Sequence, residues 1–95
     1  MKRVFVYGSL LRHQTNHRVL EGAACAGDAS TVPGYALYDL GAYPAMVAEG
    51  NGCVRGELFD VDEGMLARLD RFEGCPHLYA RRTVGLADGA FADAY

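Results

Sequence analysis

The segment "VDEGMLARLDRFEG", residues 61–74, is the one place where this chain commits firmly to a helix. Val61, Met65, Leu69 and Phe72 recur at three- and four-residue spacing with Leu66 beside them, which makes one helical face apolar. Asp60 and Glu63 have capping-box spacing, with Asp60 as the cap. Gly74 offers a C-terminal stop and Pro76 prevents continuation. Everywhere else the apolar residues come in short β-branched and aromatic runs between turn formers. Residues 4–7, 35–40, 45–48, 53–61, 79–86 and 91–95 read as strands, and residues 15–20 as a short helix capped by Thr15. Turns fall at Pro33-Gly34 and Ala87-Asp88-Gly89, and Asn51-Gly52 has the signature of a tight hairpin.

One helix among many short strands predicts an α+β fold, a small mixed β-barrel with flanking short helices, because closure removes exposed strand edges. The 95 residues make a single domain, 1–95, near the lower end of what buries its own core. A net charge of −3 and a single lysine, Lys2, leave no basic stripe, so no nucleic-acid partner is expected. The N-terminal apolar run is too short for a signal peptide, and nothing approaches a membrane span. Cys25, Cys53 and Cys75 form no close pair. They fit reduced thiols in a cytoplasmic protein, packed as small buried hydrophobes. His13 and His17 lack a third ligand and an intervening HExxH glutamate, so no metal is expected.

Two places carry chemistry. The first strand stops at Tyr7-Gly8-Ser9-Leu10. Gly8 permits a turn in which successive amides converge on an anion or a developing oxyanion; the plain alternative is an ordinary strand-to-helix turn. The loop is neither a GxxxxGK[ST] phosphate loop nor a GxSxG elbow. The second is Glu73, where the helix must end. The negative end of the helix dipole disfavours its charge, and desolvation in a cavity would act in the same direction. A carboxyl group with a raised pKa is a proton acceptor suited to neutral pH; a solvated glutamate at a frayed end is the alternative. Asp70 reads as a surface residue near Arg68 or Arg71. The hydroxyls of Tyr7, Tyr43 and Tyr79 could reach a shared pocket. Of Arg81 and Arg82, at most one can face inward.

"VFVYGSLLRHQTNHRVL" and "VDEGMLARLDRFEGCPHLYARRTV", with "GCVRGELFDVD" and the loop at residues 41–44 between them, resemble the γ-glutamylcyclotransferase-like family. Within it they are most similar to γ-glutamylamine cyclotransferases and short bacterial relatives. The resemblance implies a small barrel and an intramolecular reaction. A γ-glutamyl amine or related amide is attacked by its own α-amine, leaving 5-oxoproline and a free amine. It further implies that Tyr7, Gly8, Ser9 and Leu10 hold the glutamyl end, that Glu73 is the proton acceptor, and that Tyr79 lies beside it. The reaction needs no cofactor; the implied partner is the small-molecule γ-glutamyl substrate. Two departures stand out. Members of the family continue past the point matching Tyr95, so the last strand is expected to be short, with the barrel open or completed by a partner chain. "ARRTV" carries an extra basic residue, which leaves the roles of Arg81 and Arg82 open. The rival expectation is a non-catalytic module that binds glutamate-like ligands; a third is an interaction domain with no occupied pocket. Neither the leaving amine nor the oligomeric state is specified.

Overall fold

Val4, Phe5 and Val6 are consecutive, apolar and all buried, which a strand achieves only when both of its faces are covered. The computed structural model, which describes residues 1–39, 44–75 and 79–95, shows how. Strand β1 (Lys2–Val6) lies in the middle of a five-stranded sheet of order β2-β5-β1-β7-β6, formed with β2 (Ala24–Ser30), β5 (Arg55–Val61), β6 (Arg82–Gly85) and β7 (Phe91–Ala94). On one side β1 runs antiparallel to β5, with Val4 opposite Phe59; on the other it pairs parallel to β7, with Val4 opposite Asp93.

Alternation along β1 then sorts the core into two layers. Val4 and Val6, with Phe59 and Val61 of β5, face helix α1 (Glu63–Phe72), which buries Leu66 and Leu69 against them. Leu10 and Leu20, from 3-10 turns at Gly8–Leu10 and His17–Leu20, complete that layer. Phe5 faces the other way, with Leu58, Val84, Leu86, Ala92 and Ala94. A two-stranded arm, β3 (Tyr35–Asp39) and β4 (Pro44–Gly52), covers this second layer through Tyr35 and Met46.

The two edge strands meet at one corner. Thr31 and Leu86 form an isolated antiparallel bridge, flanked by Val32 N–H donating to the Gly85 carbonyl (3.0 Å) and Ala87 N–H to the Ser30 carbonyl (2.9 Å). Thr31 is fully buried, and its hydroxyl oxygen accepts from Val54 N–H at 2.9 Å. Beyond that corner no continuous ladder joins β2 to β6 among the described residues. The expected mixed α+β fold is present; the barrel is tied at one corner and not shown as closed.

Several local expectations shift. The helix cap is Asp62, whose carboxylate accepts from Met65 N–H at 2.8 Å, whereas Asp60 sits in β5 and pairs with Arg3. Phe72 ends the stripe but is 44% exposed, because it lies beyond the region the sheet covers. Strand β4 runs through Asn51-Gly52 and back to Tyr35. The intervening residues are therefore accommodated in a register shift between Ala36 and Tyr35, not in a hairpin turn. Strand β2 was invisible in the sequence: "ACAGDAS" has small residues and no alternation, and tertiary pairing with β5 alone makes it a strand. The helix expected at residues 15–20 shortens to the His17–Leu20 turn, and Thr15 does not cap it. Residues 79–81 precede strand β6 and are not part of it. Cys25 and Cys53 are exposed and do not serve as core hydrophobes, whereas Cys75 is half-buried and packs against the first core layer. No helix among the described residues is long and apolar enough to cross a membrane.

Replacing Thr31 with Val keeps the shape of the corner but strips the Val54 N–H of its acceptor. The variant should lose about 1–3 kcal/mol, read as a lower urea midpoint; an unchanged midpoint would show that the corner does not depend on this bond.

Candidate active site

Leaving β1, the chain is turned at Gly8, whose φ of 75° lies in the left-handed region that glycine enters without strain. The Gly8–Leu10 turn is then held from several sides. The Ser9 carbonyl accepts from Asn16 N–H and its hydroxyl from the Asn16 side-chain amide, both at 3.0 Å. The Leu10 carbonyl is 2.9 Å from His17 Nδ1, and since a carbonyl only accepts, that nitrogen carries the proton. The His17 ring leans on Phe59 with centroids 5.3 Å apart. His17 is thus a strut for the loop, and no group of three possible metal ligands occurs among the described residues. Arg12, just past the turn, fastens the segment to the sheet. Its amide and Nε donate to the two Glu57 carboxylate oxygens at 2.7 and 2.9 Å, and its Nη2 reaches Asp28 at 3.0 Å. Burial alone would raise the Glu57 pKa, but the Arg12 bonds and charge outweigh it and hold the carboxyl below its usual range.

Helix α1 stops with a complete Schellman motif. Cys75 N–H donates to the Asp70 carbonyl at 2.9 Å and Gly74 N–H to the Arg71 carbonyl at 3.2 Å, with Gly74 at φ 66°. Glu73 is the C-cap residue and half-buried. Desolvation pushes its carboxyl group up to about 7. Among the described residues it has no hydrogen-bond or ion-pair partner. Its charge is felt at the Tyr7 hydroxyl, whose pKa is raised chiefly by burial and further by Glu73, against the lowering effect of the Met46 amide. Glu73 and Tyr7, more than sixty residues apart in sequence, are therefore near enough for the charge of one to act on the other.

Tyr7 joins more elements than its sequence context suggests. Its hydroxyl donates to the Tyr95 carbonyl at 2.6 Å and accepts from Met46 N–H at 2.9 Å. With its proton committed, what this loop still presents is backbone. Tyr95 in turn donates its own hydroxyl to Asp70 at 2.5 Å. Burial, and then that bond, raise the Tyr95 pKa far above the usual phenol range. Asp70, expected at the surface beside Arg68 or Arg71, instead takes Arg81 at 3.2 Å, and Arg81 extends to Asp93 at 3.6 Å. Of the two adjacent arginines, Arg81 is the one tied to the helix. Asp70 and Glu73 are three apart, so they share a helical face; that spacing was the signal that could have linked Asp70 to the site. Tyr79 is half-buried against the cluster containing Leu10, Cys75 and Tyr95. Tyr43 lies outside the described residues, as does His77.

Comparison with known proteins identifies the family. The family described as gamma-glutamyl cyclotransferase, AIG2-like, matches residues 4–95. A Vibrio cholerae protein is 49% identical over 81 residues, which cover 85% of this chain and 70% of that protein. The gamma-glutamylaminecyclotransferase of Rattus norvegicus is 42% identical over 93 residues, and there the match spans 88% of this chain but only 62% of the rat protein. The crystal structure of an AIG2-like protein from Mus musculus superposes with a TM-score of 0.87 at 35% identity, covering 100% of this chain and 76% of that one. Carrying the fold, the opening loop and the glutamate at the helix end together, the chain belongs to the gamma-glutamyl cyclotransferase, AIG2-like family and is an enzyme of the gamma-glutamylcyclotransferase type.

Proposed function

We propose that the protein converts a γ-glutamyl amine, or a related γ-glutamyl amide, into 5-oxoproline and a free amine, with Glu73 as the proton carrier. The observation that carries this reading is a half-buried carboxyl group, unpaired among the described residues and with a pKa near 7, whose charge acts on the hydroxyl of Tyr7, the residue that leads into the Gly8–Leu10 turn.

The substrate's α-ammonium is not a nucleophile until it loses a proton, and Glu73 takes it. The freed amine attacks the γ-carbonyl carbon of the same molecule, forming the five-membered ring and a tetrahedral oxyanion. The oxyanion collapses and the bond to the leaving nitrogen breaks as Glu73 returns the proton to that nitrogen; the ring nitrogen sheds its second proton, which the departing amine takes up to leave as its ammonium. Glu73 ends as it began. Because nucleophile and carbonyl share one molecule, the protein mainly has to hold the substrate folded. That task falls to Gly8, Ser9 and Leu10, whose backbone amides receive the glutamyl carboxylate, with Tyr7 fixing the start of the turn. Tyr79 borders the same space. A carboxyl group near neutrality is suited to both halves of the cycle, since it neither holds nor releases its proton too strongly.

Glu73→Gln should lower kcat for 5-oxoproline release by about 10²–10⁴-fold, and kcat/KM of the parent should rise with pH through a limb near 7. A variant that cyclises as fast as the parent would instead favour the ligand-binding module. The same substitution has a stability signature of fixed sign. A folded carboxyl pKa raised above its unfolded value means that the native state binds more protons between the two, so native stability falls as pH rises toward 7. Glu73→Gln should therefore melt higher than the parent at pH 8, with the gain shrinking toward pH 4.5.

Gly8→Ala forces a side chain into the left-handed region at a strain of about 1–2 kcal/mol. The variant should remain folded by circular dichroism while kcat/KM falls at least tenfold; unchanged kcat/KM would remove the loop from the site.

A further inference from the structure

A cavity of about 410 Å³ lies between the β3–β4 arm and strands β6 and β7, a size typical of small-molecule sites. Tyr79, Tyr95 and Met46 stand in its wall. The last two are the partners of the Tyr7 hydroxyl, on which the Glu73 charge acts, so the cavity adjoins the reaction centre through a shared wall. Its floor is apolar, formed by Val84 and Ala94. A glutamyl group held by loop amides needs no such surface; the other half of a γ-glutamyl amide does.

Among the described residues, the only charge in the cavity lining is Arg82. Strand register explains its place. Val84 and Ala94 are buried on the inner face of the sheet, and Arg82 is two residues from Val84 and directly opposite Ala94. Arg82 is therefore an inward-facing position that stays exposed because the sheet ends there. Unlike Arg81, it has no ion pair among the described residues. No aspartate or glutamate among the described residues lines the space. An incoming cation would meet an unopposed guanidinium, whereas a carboxylate would be paired.

We propose that this cavity is the subsite for the leaving amine, and that Arg82 makes it select an amine with an apolar body ending in a carboxylate over one ending in an ammonium. The proposal rests on the cyclotransferase reading for the identity of the other half of the substrate, but its test does not need turnover. Glutaryl amides lack the α-amine and cannot cyclise. Isothermal titration would compare the glutaryl amide of 6-aminohexanoate with the mono-glutaryl amide of 1,6-diaminohexane, equal in reach and opposite in terminal charge. The carboxylate-ended probe should bind at least about threefold tighter, the scale of an exposed ion pair. Arg82→Gln should erase the preference and Arg82→Glu should reverse it. Equal binding of the two probes, binding of neither, or a preference that survives Arg82→Glu would overturn the subsite. Loss of 5-oxoproline release bears on Glu73 and leaves this comparison intact, so the two readings fail separately.

Discussion

The Tyr7 hydroxyl is the joint on which this arrangement turns. By donating to the Tyr95 carbonyl and accepting from the Met46 amide, it links the end of β1, the end of β7 and the arm that covers the second core layer. A phenol does this well because a rigid ring carries one polar tip across an apolar layer at little entropic cost. The consequence reaches the chemistry. The chain must leave β1 in a fixed direction for Gly8 to turn it, and the loop amides are aimed only as well as that exit is fixed. Arg12 against Glu57 and His17 against the Leu10 carbonyl brace the same turn from the opposite side.

Two carboxylates three residues apart on α1 receive opposite treatment. Asp70 accepts the Tyr95 hydroxyl and is paired with Arg81, so its charge is compensated and used to anchor the last helical turn. Glu73 is unpaired among the described residues and partly desolvated, and its carboxyl group rises to about 7. An unpaired, partly buried acid is unfavourable for folding, and the Schellman motif at Gly74 together with the Asp70 anchor holds it in place nonetheless. One unsatisfied group beside fully satisfied neighbours is the division expected if Glu73 works as proposed and the others support it.

The arrangement also separates the two proposed binding regions in space. Loop backbone lies on the side of the sheet packed against α1, while the cavity with Arg82 at its rim lies on the side covered by the arm. Tyr7 and Tyr95 pass between the two sides. A substrate with a small anionic head and a longer amide tail fits such a division, and changes in the arm or at the rim would alter the tail preference without moving Glu73.

Sequence alone determined the parts governed by local rules. The apolar stripe placed the helix, Gly74 stopped it, the β-branched and aromatic run at residues 4–7 read as a strand, and two motifs identified the family and pointed to Glu73 and the opening loop. What it could not determine depends on which distant groups end up adjacent. Strand β2 has no pattern of its own and exists by pairing with β5. Residues 49–52 carry turn chemistry, yet tertiary pairing with Tyr35 draws them into β4. Asp70 looks like any surface acid until Tyr95 and Arg81 arrive from the other end of the chain. Periodicity and capping depend on neighbours a few residues away, so they are written in the sequence; burial, ion pairing and the pKa of Glu73 depend on what surrounds a group in space, so only the folded chain sets them.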